Sequence, residues 1–264
     1  MPFHESSALR YYSFESLQEA GVAHGVFTRG GGVSPQPWSS LNVGATVGDD
    51  LRNVHENRLR AFRVFQRPFE SLFDVWQVHG TEVVCAEASR PADQAHQKAD
   101  AILTDRPGVT LFMRFADCVP IYLYDPVHKV VGLVHAGWLG TVRQAAAVAI
   151  QAMQARYGSR PEDVLSGIGP SIAAHHYEVG SEVIAQVQAA FGAEASGLLL
   201  PSNGASMEEH ALLDLWAANR LVLERSGVRR IEIAGICTAC GLDDWYSHRA
   251  EKGQTGRFGG LIAL

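Results

Sequence analysis

The sequence predicts a layered fold of the α/β or α+β class. Three observations carry that reading: a middle third built from short apolar runs of strand length, helical runs on its C-terminal side, and no repeat or low-complexity linker dividing the chain. The 264 residues suit one large domain or two small ones and are ample for a substantial core.

In chain order, the apolar run from Val22 to Phe27 reads as a strand, and the glycine-rich segment to Pro35 as the loop leaving it. Asp49 and Asp50 precede an amphipathic run from Leu51 to Phe65, where two acidic residues complement the positive end of a helix. Phe73–Val78, Glu82–Ala86, Ala101–Leu103, Val109–Met113, Pro120–Tyr124 and Lys129–Val134 have strand length and composition. Several are almost continuously apolar, as in strands covered on both faces. An alanine-rich helix is expected from Thr141 to Tyr157, closed by Gly158. Helices near Ser181–Phe191 and Glu208–Ser226 follow, then a strand from Arg230 to Ile236. The order of strands within the sheets is not readable from this pattern.

Hydrophobic residues make up 47% and charged residues 19%, a globular balance. No stretch approaches the roughly 18 apolar residues of a membrane span. Met1–Arg10 has no apolar core of a secretory signal, so a soluble cytoplasmic protein is expected. A net charge of −6 without a lysine- or arginine-rich run excludes the footprint of a nucleic-acid binder. Cys85, Cys118, Cys237 and Cys240 are too sparse for a disulfide scaffold, which leaves thiol or metal chemistry. Cys237 and Cys240 form one C-x-x-C without a second to complete a four-sulfur zinc site, and read as small semi-buried residues near a strand end.

Three candidate ligands share one kind of position. His79 follows the run Val75–Val78 and precedes Gly80, Cys118 stands just before Ile121–Tyr124, and His135 ends the run Val130–Val134 beside Ala136-Gly137. Strand ends beside glycines are where sites on layered folds assemble. Two imidazoles and a thiolate suit zinc with a position left open, and copper(II) binds the same donors. Separations of 39 and 17 residues match no local ligand motif, so spacing alone favours core histidines and a buried cysteine over a shared site.

The segments FTRGGGVS (27–34), SLNVG (40–44), QVHG (77–80), ADCVPI (116–121), HAGWLGT (135–141), IGPSI (168–172) and YSHRAEKGQTGR (246–257) add a stronger signal. Together and in this order they resemble the purine nucleoside phosphorylase family of the laccase-domain type, long labelled multicopper polyphenol oxidase. The resemblance runs from about Gly25 to Leu264 and implies a single domain over residues 1–264. The implied fold is an α/β/β/α sandwich with mixed sheets. It also implies a zinc site on His79, Cys118 and His135, phosphorolysis of adenosine, inosine, guanosine and methylthioadenosine, and hydrolytic deamination of adenosine. The implied partners are purine nucleosides and phosphate, with no nucleic-acid polymer and no membrane; self-association is left open. Three positions depart from the family pattern: Leu139 replaces an arginine, Phe115 a threonine and Ser171 a cysteine. Arg143, one helical turn after Leu139, is a candidate replacement for the missing cation.

For the chemistry, a metal with an open position polarises water for attack on the purine carbon bearing the amino group. Phosphorolysis needs a cationic clamp for phosphate. Arg29 is the first candidate clamp, sharing the anion with the N–H groups of Gly30–Gly32, and Arg58 the second. Asn42 is placed to orient a ribose hydroxyl or to brace a turn. Asp117 is read either as the carboxylate that orients a ligand or relays a proton, or as a turn carboxylate. His248 and Arg249 are expected to return to the site from the C-terminal segment. His24 or Cys85 would supply a fourth ligand to a closed, non-catalytic metal site. The rival chemistries are a metal-free cysteine hydrolase, with Cys118 as nucleophile and His135 as base, and a copper-dependent polyphenol oxidase. Adjacent His175 and His176 are expected in a loop at the surface.

Overall fold

A computed structural model describes residues 2–202, 206, 207 and 209–264. Two six-stranded mixed sheets pack face to face, with helices on the outer face of each. The first sheet holds Phe3–Ser6 (β1), Leu9–Tyr12 (β2), Ala23–Phe27 (β3), Leu72–Phe73 (β4), Thr110–Phe115 (β7) and Phe258–Ala263 (β15), in the order β1-β2-β3-β15-β7-β4. The second holds Val83–Cys85 (β5), Ala101–Thr104 (β6), Val119–Asp125 (β8), Val130–Ala136 (β9), Leu165–Ile168 (β10) and Arg230–Ile233 (β14), in the order β14-β10-β8-β9-β6-β5. Edge pairs β4/β7, β5/β6 and β10/β14 are parallel and the rest antiparallel. A small third sheet pairs Glu178–Gly180 (β11), His210–Leu213 (β13) and Leu199–Pro201 (β12).

The helices are Glu15–Glu19 (α1), Leu51–Val64 (α2), Trp138–Val142 (α3), Ala145–Tyr157 (α4), Ser181–Phe191 (α5), Ala195–Leu198 (α6) and Leu215–Arg225 (α7). Asp50 caps α2 by accepting from the Arg52 N–H, and the buried face of α2, including Ala61 and Phe62, packs on Phe27, Leu41, Phe112 and Leu261. Alternation along β8 explains the layers: Tyr122 and Tyr124 fill the space between the sheets, while Ile121 and Leu123 face α4 and α7. Both faces are covered, which is why β8 and β9 read as unbroken apolar runs. The expected α/β/β/α sandwich with mixed sheets is what the chain forms.

Three expectations need correction. The run Phe73–Val78 is strand only at its start. From Val75 onward the chain leaves the sheet: Trp76 pairs with Gln97 and Ala99, and the Gln77 side chain bridges to the Arg114 backbone. The alanine-rich helix breaks at Gln144, whose left-handed φ of 60° separates α3 from α4, although Gly158 (φ 73°) closes it as expected. The expected helix over 208–226 is a strand, β13, followed by α7, because Asp214 caps the helix by accepting from the Ala217 N–H; its expected first residue, Glu208, lies outside the described residues. No helix among the described residues is long and apolar enough to cross a membrane.

Candidate metal and substrate site

His79, Cys118 and His135 converge. One ligand atom from each lies within 4.8 Å of those of the other two. The register of β8 against β9 achieves this for two of them: Pro120 pairs with His135 and Val119 with Ala136, so Cys118, just before β8, comes beside the turn after β9. Gly137 makes that approach possible, since a Cβ there would sit 2.9 Å from Cys118 Sγ and 3.2 Å from His79 Cδ2. His79 arrives from the irregular segment between β4 and β5 with a left-handed φ of 60°. For a non-glycine residue that conformation costs on the order of 1 kcal/mol, and such strain concentrates at functional sites.

Asp100, just before β6, holds both histidines. Its fully buried carboxylate accepts from His135 Nδ1–H at 2.8 Å and from the N–H groups of Val78, His79 and Gly80 at 3.1, 3.0 and 2.6 Å. Its backbone oxygen accepts from the His135 N–H at 2.8 Å. Burial would raise the Asp100 carboxyl, but the hydrogen bond from His135 and the backbone donors hold it below its ordinary value. Burial in turn lowers His135, against the pull of Asp100, so the imidazole is neutral with Nε2 free as a lone-pair donor.

The donor set fits a metal ion. Burial above all, with the Asp117 and Asp100 charges adding against Arg257, pushes the Cys118 thiol up to about 12. A divalent cation reverses that penalty by holding the thiolate directly. The same elevation disfavours a metal-free nucleophile, which needs a lowered thiol pKa.

The three residues lie in a cavity of about 380 Å³, within the range of small-molecule sites. Its wall is cationic. Arg58 and Arg114 line it and converge with Arg90 on Asp74, which is fully buried: Arg114 Nη1 lies 3.0 Å, Arg90 Nε 2.9 Å and Arg58 Nη1 3.6 Å from its oxygens. His96 adds a contact at 3.1 Å. Three guanidiniums thus share one carboxylate, and burial together with the Arg114 charge lowers Arg58 to about 10, still fully charged at neutral pH. Arg257 also lines the cavity, and among the described residues its guanidinium makes no ion pair, donating only to the carbonyls of Thr255 and Gly256. Trp76 also lines the cavity and is 49% exposed.

Arg58 is therefore placed at the cavity and Arg29 is not. Arg29 donates to the carbonyl of Ser39, to that of Leu242 and to Glu251, and lies 4.4 Å over the Tyr246 ring, while the Gly32 N–H is taken by Ser40. Asn42 is buried as a brace: it accepts from the Gly44 and Arg257 N–H groups and donates to Asp49 and Gly44. Asp117, with φ 81°, has no hydrogen bond to His79 or His135 among the described residues and serves as the turn carboxylate, accepting from Thr238 Oγ1 at 2.6 Å and the Arg249 N–H at 2.7 Å. The carboxylate that bonds His135 is Asp100. Neither His24, tied to Phe14 and Val22, nor Cys85 joins the cluster. Arg143 is exposed and absent from the cavity wall, so it does not stand in for the arginine replaced by Leu139. His248 lines the cavity, so the C-terminal segment does return to it.

Sequence reasoning missed Asp100, Arg114, Arg257 and Trp76. An aspartate opening the apolar run Ala101–Thr104 was the available signal for the first. Arg257 closes the segment 246–257, which was its signal, whereas Arg114 carries none without the order of strands.

The fold and this cavity place the chain in a known class. It belongs to the multi-copper polyphenol oxidoreductase laccase family, whose model matches residues 23–264. A purine nucleoside phosphorylase of Deinococcus radiodurans is 38% identical over 243 residues, 92% of this chain and 89% of that protein. The purine nucleoside phosphorylase YlmD of Bacillus subtilis is 35% identical over 251 residues, covering 92% and 88%. The crystal structure of the hypothetical protein YfiH of Bacillus licheniformis superposes with a TM-score of 0.91 at 32% identity, covering 100% of this chain and 99% of that one.

Proposed function

We propose that this chain is a single-domain, zinc-dependent purine nucleoside phosphorylase with a second activity as an adenosine deaminase. One observation carries the reading: a three-donor cluster with room for another ligand opens into a cavity whose wall bears uncompensated guanidinium charge. The names of the relatives supply the substrate class, purine nucleosides with phosphate.

The division of labour follows from the residues. His79, Cys118 and His135 would hold the ion, and Asp100 fixes the tautomer and angle of His135. A zinc ion there supplies Lewis-acid polarisation of a substrate oxygen or of water. Arg58 and Arg114, kept rigid by Asp74, together with Arg257, attract phosphate and hold it against the sugar. Trp76 offers an exposed ring face for a purine to stack on. The cationic wall has no part in phenol oxidation and favours an anionic co-substrate over the copper-oxidase reading.

Adenosine incubated with the zinc-loaded protein, with and without phosphate, tests this by chromatography of the products. Adenine formed only in the presence of phosphate is the expected phosphorylase result, and inosine formed without phosphate the deaminase result. An unchanged nucleoside under both conditions overturns the reading.

A further inference from the structure

A second cluster of soft donors lies outside the cavity. His175 and His176 sit on a single 3-10 turn, Ala174–His176, and face the C-x-x-C pair Cys237 and Cys240. His175 Nε2 lies 3.0 Å from Cys240 Sγ, and His176 Nδ1 lies 3.5 Å from Cys240 Sγ and 3.6 Å from Cys237 Sγ. One donor atom from each of the four residues falls within 4.8 Å of all the others. A tetrahedral zinc ion, with Zn–S near 2.3 Å and Zn–N near 2.0 Å, separates its sulfur and nitrogen ligands by about 3.5 Å.

The backbone around these donors is already fixed. Ser171 N–H donates to Ile236 O, Thr238 N–H returns a bond to Ser171 O, and the Ala173 N–H points at Cys237 Sγ at 3.4 Å. Gly241 N–H donates to Cys237 O and closes the turn that carries the two thiols. The two halves of the cluster thus come from segments 61 to 65 residues apart that are pinned together independently of any ion.

We propose that His175, His176, Cys237 and Cys240 form a second metal site, a closed two-cysteine, two-histidine site for zinc. Two thiolates and two neutral imidazoles balance the charge of a divalent ion and fill a tetrahedron, leaving no position for substrate. Such a site is a clip. It joins the segment after β10 to the segment after β14, and Thr238, inside the C-x-x-C, bonds Asp117 beside Cys118. The second ion thereby braces the wall of the first site without touching it.

Cobalt(II) titration of the reduced, metal-free protein separates the two sites by absorption. Wild type takes up two equivalents, both with thiolate charge-transfer bands. Cys118→Ser takes up one, keeping the stronger two-thiolate band, and adding Cys240→Ser or His175→Ala to that variant removes it. Cys240→Ser alone retains one equivalent with a one-thiolate band. Cys240 and His175 are both exposed, so these substitutions leave the core intact. The proposal is overturned if Cys118→Ser binds no cobalt, if its cobalt binding survives loss of Cys240, or if Cys237 and Cys240 of the purified protein prove to be joined as a disulfide by mass spectrometry. Nucleoside turnover, read separately on wild type, reports on the first site alone.

Discussion

Asp100 Oδ1 lies 2.8 Å from His135 Nδ1, and the same carboxylate accepts the backbone N–H of His79 at 3.0 Å. One side chain therefore sets the direction of one proposed ligand and the strained backbone of another. Replacing it by asparagine preserves volume but offers one acceptor oxygen where four donors converge. Asp100→Asn is expected to weaken zinc at the first site by about 10- to 100-fold, the usual effect of losing a partner behind a ligating histidine. Competition with a chromophoric chelator measures this, and an unchanged affinity would show that Asp100 serves folding alone.

Gly137 is allowed by its neighbours rather than by its backbone. Its φ of −75° suits any residue, yet an added Cβ meets Cys118 Sγ at 2.9 Å and His79 Cδ2 at 3.2 Å. Gly137→Ala is expected to fold, because the clash is with two side chains rather than with the core. It should lose the first metal while keeping the second. Metal analysis beside circular dichroism checks both halves; a fully loaded first site would remove the argument that close approach is why glycine stands there.

The two arginines that differ most between sequence expectation and structure make a paired test. Arg257 lines the cavity without an ion-pair partner among the described residues, whereas Arg29 is spent on Ser39, Leu242 and Glu251. Arg257→Ala should raise the KM for phosphate by about 10- to 100-fold, the equivalent of a charge-assisted hydrogen bond of about 1.5–3 kcal/mol. Arg29→Ala should leave that KM alone and lower the melting temperature. The reverse pattern in steady-state kinetics and thermal melts would return the phosphate to the glycine-rich loop.

What the sequence made legible follows a physical line. Local pattern located α2, α5 and the strands β6 to β9, because burial on one or both faces writes a period into the chain. His79, Cys118 and His135 stood out as reactive types at strand ends, and the family motifs joined them. Asp100 stayed hidden because its role depends on β6 pairing with β9, Ala101 opposite Val134, a register no local pattern encodes. Arg114 and Arg257 are brought to one cavity by the β7–β15 pairing, Arg114 opposite Gly259, which joins residues far apart in sequence. The second donor cluster was missed for the same reason: its two halves touch through an isolated bridge between Ser171 and Cys237. Gln144 broke the alanine-rich helix with a left-handed conformation that helix propensity does not anticipate.

Asp74 gives the protein a pH dependence with a defined sign. Burial alone would raise its carboxyl, but Arg114, Arg58, His96 and Arg90 together hold it below its ordinary value. The folded state therefore binds fewer protons than the unfolded state near the ordinary carboxylate pKa of about 3.9. The stabilisation is fully present above that value and is lost as pH falls through the lower folded-state value. Asp74→Asn leaves three guanidiniums without their shared partner and should cost about 3–5 kcal/mol at neutral pH, the usual effect of breaking a buried ion pair. Urea unfolding of both proteins at pH 7 and at steps below pH 4 checks the sign. The stability gap between them should narrow toward acid as wild-type Asp74 takes up its proton. A gap that stays constant would mean that Asp74 contributes through its shape and hydrogen bonds and not through its charge.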